Sequence, residues 1–199
     1  MAAWKKYYQP IAIGKHLLIL PAWIEERSNP SRLAIRIDPG MAFGTGTHPS
    51  TQLSLELMEK YVQPGIDIID VGCGSGILAI AGILLGARHA IAVDISEEAV
   101  QSARDNIALN GLQTYIEVGL ASVPEIVQGQ FSLKQGQVVI ANILLKVIEE
   151  LFDVGLGALV CAHGFLLLSG ILNEQISEIT EKAAEKGFHI CDRLSQGDW

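Results

Sequence analysis

One stretch constrains this chain more than any other: Ile66-Asp67-Ile68-Ile69-Asp70-Val71-Gly72-Cys73-Gly74-Ser75-Gly76-Ile77. An apolar run ends in an acid, and glycines then stand at every second position. The pattern Asp-x-Gly-x-Gly-x-Gly closes a strand and opens a helix. Glycines at Gly72, Gly74 and Gly76, with the small Cys73 between them, let a backbone approach a ligand with no β-carbon in the way. The start of the helix adds partial positive charge and free N–H donors. A second acid, Asp94, followed by Ile95, ends the next apolar run, Ala90-Ile91-Ala92-Val93, and falls 22 residues after Gly72. That spacing suits a carboxylate that grips a ribose through its hydroxyls.

Two nucleotide-type cofactors use such a turn. A dinucleotide site has Gly-x-Gly-x-x-Gly with a small sixth residue, and here that place is Ile77, with the third glycine one residue early. Asp70 would also repel a pyrophosphate. An acid before the loop suits a cationic cofactor, and S-adenosylmethionine carries a sulfonium and an ammonium. The competing reading is a plain tight turn between buried elements, which the pairing of Asp70 with Asp94 weakens.

After Gly76 the chain alternates helix and strand. Ile77 to Leu85 is apolar almost all round, as for a helix packed on a sheet. Ser96 is a good N-cap for a helix to about Asn110, with Val100, Ala103 and Ile107 inward. Thr114–Val118, Gln137–Ala141, Phe165–Leu168 and Phe188–Leu194 read as further strands. Leu144–Leu156 has helical periodicity, and Asn173 caps a last helix with Ile176, Ile179 and Ala183 inward. Strands separated by helices predict an α/β fold with a doubly wound, mostly parallel sheet. Ligands on such sheets bind at the carboxyl ends of the strands, where Asp70, Asp94 and Asn142 all fall.

The earlier residues lack this rhythm. Leu17–Leu20 and Leu33–Ile37 read as short strands around a polar, turn-rich stretch from Glu25 to Ser31. The segment Asp38-Pro-Gly-Met-Ala-Phe-Gly-Thr-Gly-Thr-His-Pro-Ser-Thr51 gathers three glycines and three threonines around Phe43. It reads as a ligand-covering loop. A helix follows from about Pro49, a favoured first-turn residue, with Leu53, Leu57 and Tyr61 inward. His48, before a helix, reads as a capping or surface residue more readily than as a base.

At 199 residues, 49% of them hydrophobic and 18% charged, the chain is long enough for one well-buried domain and too apolar for a disordered one. A net charge of −8 disfavours broad contact with nucleic-acid phosphates and is compatible with a basic protein substrate. Cys73, Cys161 and Cys191 have no metal-like spacing; the last two read as core residues, and a reducing cytoplasm is expected. No apolar run reaches membrane-spanning length and no signal peptide opens the sequence, so no membrane contact is expected.

The loop from Asp38 to Thr51, followed by Asp70-Val-Gly-Cys-Gly-Ser-Gly-Ile-Leu-Ala-Ile-Ala81, resembles the PrmA family, the methyltransferases of ribosomal protein L11. Ala141-Asn-Ile-Leu144 and Leu168-Ser-Gly-Ile-Leu172 are similar to its later motifs, and the likeness runs from about Trp4 to Trp199. The first motif is specific, while the glycine motif marks class I S-adenosylmethionine-dependent methyltransferases in general. The resemblance implies a seven-stranded sheet whose last strand is antiparallel, and methyl transfer from S-adenosylmethionine to lysine side chains and the α-amino group of the ribosomal protein. It adds Thr45, Thr51 and Asn142 to the cofactor contacts Asp70, Gly72, Cys73, Gly74, Gly76, Asp94 and Ile95. Phe43 to His48 become a lid near the acceptor.

Asn142 is also the expected catalytic residue, orienting the acceptor amine. Many amine methyltransferases carry Asn-Pro-Pro-aromatic there, for a planar amine; Asn-Ile-Leu-Leu favours an aliphatic one. The alternative for Asn142 is a helix N-cap. Family members have an N-terminal recognition domain ahead of a linker. The expected division is therefore 1–37 as linker and lead-in strands and 38–199 as catalytic domain, with the recognition domain absent and the seventh strand truncated. Two other functions stay open: methylation of another amine, in RNA or a small molecule, and a non-catalytic module that keeps the cofactor site.

Overall fold

The computed structural model describes residues 9–24, 31–38 and 44–199. The expectations placed on Trp4, on most of the Glu25–Ser31 turn and on Phe43 lie outside the described residues. A small sheet comes first. Strand β1 (Ile11–Ile13) runs antiparallel to β2 (Leu17–Pro21), which pairs in parallel with β3 (Leu33–Ile37). The β1–β2 turn is pinned by charge. Arg32 donates to the carbonyls of Ile13, Gly14 and Leu17. The carboxylate of Glu59 accepts from the backbone N–H groups of Lys15, His16 and Leu17.

Glu59 lies on α1 (Pro49–Tyr61). Beyond it, β4 (Asp67–Val71), α2 (Ile77–Leu84), β5 (His89–Asp94), α3 (Glu97–Leu109), β6 (Ile116–Leu120), α4 (Val123–Val127), β7 (Gly136–Asn142), α5 (Leu145–Asp153), β8 (Val160–Ser169) and α6 (Ile176–Glu185) follow in order. The main sheet has the order β6-β5-β4-β7-β8, every pairing parallel. The switch in winding direction lies between β4 and β7.

Alternation along β4 shows why both faces are covered. Ile68 joins Leu55, Met58, Ile80 and Ile107 on the face of α1, α2 and α3. Ile69 and Val71 join Ile126, Ile148 and Ile179 on the face of α4, α5 and α6. Each such side chain withdrawn from water contributes ~1.5–3 kcal/mol. Asn106 of α3 and Asn110, the C-cap of that helix, tie the small sheet to this core. Asn110 exchanges hydrogen bonds with the N–H and C=O of Arg36, and buried Asn106 accepts from the N–H of Asp38 while donating to the carbonyl of Ser75.

Several expectations need correction. Phe188–Leu194 forms no strand; the segment runs back as an irregular tail tied to α1 by Lys60 and Tyr61, both bonded to Asp192. The main sheet therefore ends at β8, with five strands among the described residues. The predicted strand at Thr114–Val118 sits slightly later, over Ile116–Leu120. The helix expected to Leu156 stops at Asp153 because Gly155 takes a left-handed φ of 112°, and a 3-10 turn over Leu156–Leu159 replaces its end. The short α4 was not expected, although Ser122-Val-Pro-Glu125 is a helix-start signature. The inner face of α1 centres on Ser50, Thr51, Ser54, Leu55 and Met58; of the expected stripe, Leu53 is buried and Leu57 and Tyr61 only half-buried. Cys191 is exposed and Cys161 half-buried, so neither is a core residue.

Candidate functional site

The glycine turn leaves β4 and enters α2 as the sequence predicts. Gly72, Gly74 and Gly76 all have positive φ, at 73°, 53° and 78°. At Gly72 a β-carbon would also come within 2.5 Å of Ile143, the residue after Asn142. At Gly76 it would press on Ala103 of α3 at 3.2 Å. Both positions need glycine for conformation and for space.

Three amides of the turn are bonded within the protein. The N–H groups of Gly72 and Cys73 both donate to the carbonyl of Val93, at 2.8 and 2.9 Å. The N–H of Gly74 donates to Asp94 at 3.0 Å. With three amides spent on β5, the loop is not an anion nest of the phosphate-binding kind. That geometry supports the choice of a cationic ligand over a pyrophosphate.

Asp70 is fully buried beneath this turn. Its Oδ2 accepts from the N–H of Ala79 at 3.2 Å, so it caps α2 from across the loop, where Gly76 as N-cap has no side chain to do so. Its Oδ1 is buried without a partner among the described residues. Burial, with the nearby charge of Asp94 and against the Ala79 hydrogen bond, pushes the Asp70 carboxyl up to about 7. Burial likewise pushes the Cys73 thiol well up, so Cys73 is a small neutral wall and not a nucleophile. Asp94, at the end of β5, accepts from Gly74 with Oδ2 and from Ser96 with Oδ1, both at 3.0 Å. A carboxylate held this way keeps further lone pairs for hydroxyl donors. Next to it Ile95 is 81% exposed, an apolar surface at the carboxyl edge of the sheet.

Asn142 is the last residue of β7, and the N-cap of α5 is Leu144, so the N-cap alternative for Asn142 falls. Its Nδ2 donates to the hydroxyl of Thr51 at 3.3 Å, and its Oδ1 is buried without a partner among the described residues. In register, Val71 of β4 lies beside Ala141 of β7, so Gly72 and Asn142 leave adjacent strand ends. His48 is the N-cap of α1: Nδ1 accepts from the N–H of Ser50, and the ring packs edge-on against Trp199 at 4.6 Å. That is the capping role, not that of a base. Thr45 is half-buried in the preceding loop and bonded to Thr47 at 3.1 Å.

Sequence reasoning missed Ser75. Its hydroxyl donates to the carbonyl of Gly44 at 2.7 Å and fastens the threonine-rich loop to the glycine turn. Asn106, which bonds both Ser75 and Asp38, was also missed; a polar residue within the stripe of Val100, Ala103 and Ile107 was its signal. A cavity of about 570 Å³ lies elsewhere, between the outer edge of β8, α1, α6 and the tail, and none of the predicted site residues lines it. Among the described residues, no helix is long and apolar enough to cross a membrane.

Comparison with known proteins accords with this geometry. The family described as ribosomal protein L11 methyltransferase (PrmA) matches residues 1–199. A ribosomal protein L11 methyltransferase of Pelotomaculum thermopropionicum is 41% identical over 99% of this chain and 62% of its own length. The chain thus spans about 60% of the length of the curated relatives it matches. The crystal structure of a ribosomal protein L11 methylase from Lactobacillus delbrueckii subsp. bulgaricus superposes with a TM-score of 0.85 at 33% identity, covering 96% of this chain and 95% of that one. A precorrin-8w decarboxylase from Methanobacterium thermoautotrophicum shares the fold alone, at 20% identity and a TM-score of 0.59 over 71% of this chain and 74% of its own. The matched residues include the glycine turn, Asp94 and Asn142 at the ends of adjoining parallel strands, and the chain therefore belongs to the ribosomal protein L11 methyltransferase (PrmA) family, with its class I methyltransferase fold.

Proposed function

We propose that this chain binds S-adenosylmethionine and transfers its methyl group to lysine side-chain amines and the α-amino group of ribosomal protein L11, in the cytoplasm. The observation that carries the reading is the Oδ1 of Asn142 beside the glycine turn, buried and without a partner among the described residues. A buried acceptor with no donor is costly, and an amine N–H supplies the donor. The cofactor fits the residues present. The turn's amides are engaged within the protein, Asp70 keeps an unpartnered oxygen that favours nearby positive charge, Asp94 retains lone pairs for ribose hydroxyls, and Ile95 offers an apolar face.

When bound, S-adenosylmethionine supplies a methyl group on a sulfonium, which the lone pair of a neutral amine takes as the C–S electron pair leaves on sulfur. The chain's task is to deliver that amine neutral and aligned. A free lysine has a pKa near ~10.4, and among the described residues no basic side chain is bonded to the orphaned oxygens of Asp70 and Asn142. Desolvation beneath the threonine-rich loop lowers the amine's pKa, with its proton lost to water. Asn142 Oδ1 then accepts one N–H, turning the lone pair toward the methyl. Catalysis rests on positioning, with reacting atoms held roughly 3–3.5 Å apart. The acidic surface, with a net charge of −8, suits a basic protein better than a phosphate backbone.

Labelled methyl transfer from S-adenosylmethionine, assayed against purified ribosomal protein L11, ribosomal RNA and small amines, tests the proposal. Label on the protein alone is the expected result; label on RNA or a metabolite, or on nothing, refutes it. Asp94→Ala should weaken cofactor binding by ~1–3 kcal/mol, the worth of hydroxyls bonded to a charged acceptor. Calorimetry that finds unchanged affinity in the folded variant removes Asp94 from the site. The loop over 44–48, fastened by Ser75, should order further over bound cofactor. Its amide exchange is expected to slow at least tenfold on cofactor addition, and equal rates would make the segment structural.

A further inference from the structure

We infer that Gly170 is a positioning residue for the cofactor turn: carrying no side chain, it lets Ile143 stand between the ends of β4 and β8 without pressing on Gly72. The inference rests on the proposed cofactor site. The main sheet runs β4-β7-β8 here, and one residue leaves the end of each strand: Gly72 after Val71, Ile143 after Asn142 and Gly170 after Ser169. Ile143 is the middle one. On one side, a β-carbon at Gly72 would come within 2.5 Å of its Cγ2. On the other, a β-carbon at Gly170 would come within 2.5 Å of its carbonyl oxygen and 3.1 Å of its nitrogen. Both glycines have left-handed φ, at 73° and 79°.

The two contacts differ in kind, and the difference sets a direction. A side chain can turn aside, whereas a methyl group at position 170 meets the backbone of Ile143, which has to move as a whole. Retreat of position 170 is opposed. Ser169 pairs with Asn142 in the β7–β8 register, and its hydroxyl donates to the carbonyl of Ser50 in α1 at 2.9 Å. The end of β8 is thus fastened, and Ile143 yields toward β4. There its side chain meets Gly72, whose N–H, like that of Cys73, is bonded to the carbonyl of Val93. Those two bonds hold the turn on β5, and a push on Gly72 strains them. A close-packed interior passes such a shift on instead of absorbing it. Position 170 therefore acts on the cofactor through Ile143 and touches no cofactor atom itself.

The test is rescue at a second site. Gly170→Ala is expected to weaken binding of S-adenosylmethionine, measured by calorimetry, by ~10-fold or more. Ile143→Ala empties the space over Gly72, so the Gly170→Ala change should cost less than about threefold in that background. Gly111→Ala separates the effect from backbone strain: Gly111 has a φ of 70° with nothing within 4 Å of an added β-carbon, and its substitution should leave affinity unchanged. Independently of the cofactor, the amides of Gly72 and Cys73 in ¹⁵N-labelled protein should exchange about tenfold faster in Gly170→Ala, relative to Ile91 in the middle of β5, and should return to the Ile143→Ala rate in the double variant. Unchanged affinity in a folded Gly170→Ala protein overturns the inference, as does a double variant that shows no rescue, or an equal loss in Gly111→Ala. If Gly170→Ala does not fold, the double variant decides: folded, and binding as Ile143→Ala does, it supports the wedge; unfolded, it refutes it. If the wild-type chain binds no S-adenosylmethionine, the proposed function fails, and the exchange ratio still decides whether Gly170 sets the turn.

Discussion

Asp70→Asn should make this protein more stable at pH 8 and should leave its stability at pH 4 almost unchanged. Burial raises the folded-state carboxyl to about 7, from an ordinary value of 3.8. Between those values the native state holds a proton that the unfolded chain has released. Stability from the neutral group is therefore fully present below pH 3.8 and is lost as pH rises through about 7. Each pH unit in that window costs ~1.4 kcal/mol, so ~2–4 kcal/mol is the expected gain at pH 8. Asparagine keeps an oxygen for the Ala79 N–H and cannot ionise. Urea unfolding at the two pH values checks this, and an equal effect at both would show that Asp70 does not titrate with folding.

The same carboxylate has a use that explains its cost. A cofactor carrying a sulfonium and an ammonium favours the ionised form, so wild-type affinity should rise with pH to about 7 and then level off. Below that pH, binding must release the Asp70 proton, and affinity falls by up to about tenfold per pH unit. Titration calorimetry at pH 6 in buffers of different ionisation enthalpy should reveal that proton. Asp70→Asn should lose at least ~10-fold in affinity at pH 8 and lose the pH dependence as well.

How much of this was legible beforehand differs from element to element. The glycine turn was, because positive φ at alternate positions has few sequence solutions, and Asp94 was, because the βαβ unit fixes its distance from the turn. Asn142 came from its place after an apolar run, and its escape from an N-cap role depended on where α5 starts. What the pattern could not reveal is which partner each polar group finds. The amides of Gly72 and Cys73 are taken by Val93 only because β5 lies beside β4. Phe188–Leu194 has strand-like composition, but a strand exists only with a ladder partner, and here Asp192 binds Lys60 and Tyr61 of α1 instead. The β1 strand has three residues, too few to show a period of two. The inward polar face of Ser50, Thr51 and Ser54 was hidden because helical patterns reveal apolar stripes, and this face answers polar strand ends.

Joined to a preceding recognition segment of the kind the family resemblance implies, residues 1–199 should methylate ribosomal protein L11 ~10²-fold faster at subsaturating substrate than the same residues alone, with cofactor affinity unchanged. A second linked contact turns capture of the acceptor into an intramolecular event, and the gain is set by effective concentration. That gain depends on a fixed point of departure, and the small sheet supplies one. Strand β1 is paired to β2, the turn between them is gripped by Arg32 and Glu59, and β3 is clamped to α3 by Asn106 and Asn110. A preceding segment is therefore delivered from a place held rigid against α1, the helix that carries Thr51. Glu59→Ala releases three backbone donors at that turn and should reduce the advantage of the longer chain severalfold without altering cofactor binding. The measurement is kcat/KM for the two lengths, each with and without the Glu59 change. Equal rates for the two lengths would move substrate recognition into this domain, onto the loop before α1 and the residues that follow Asn142.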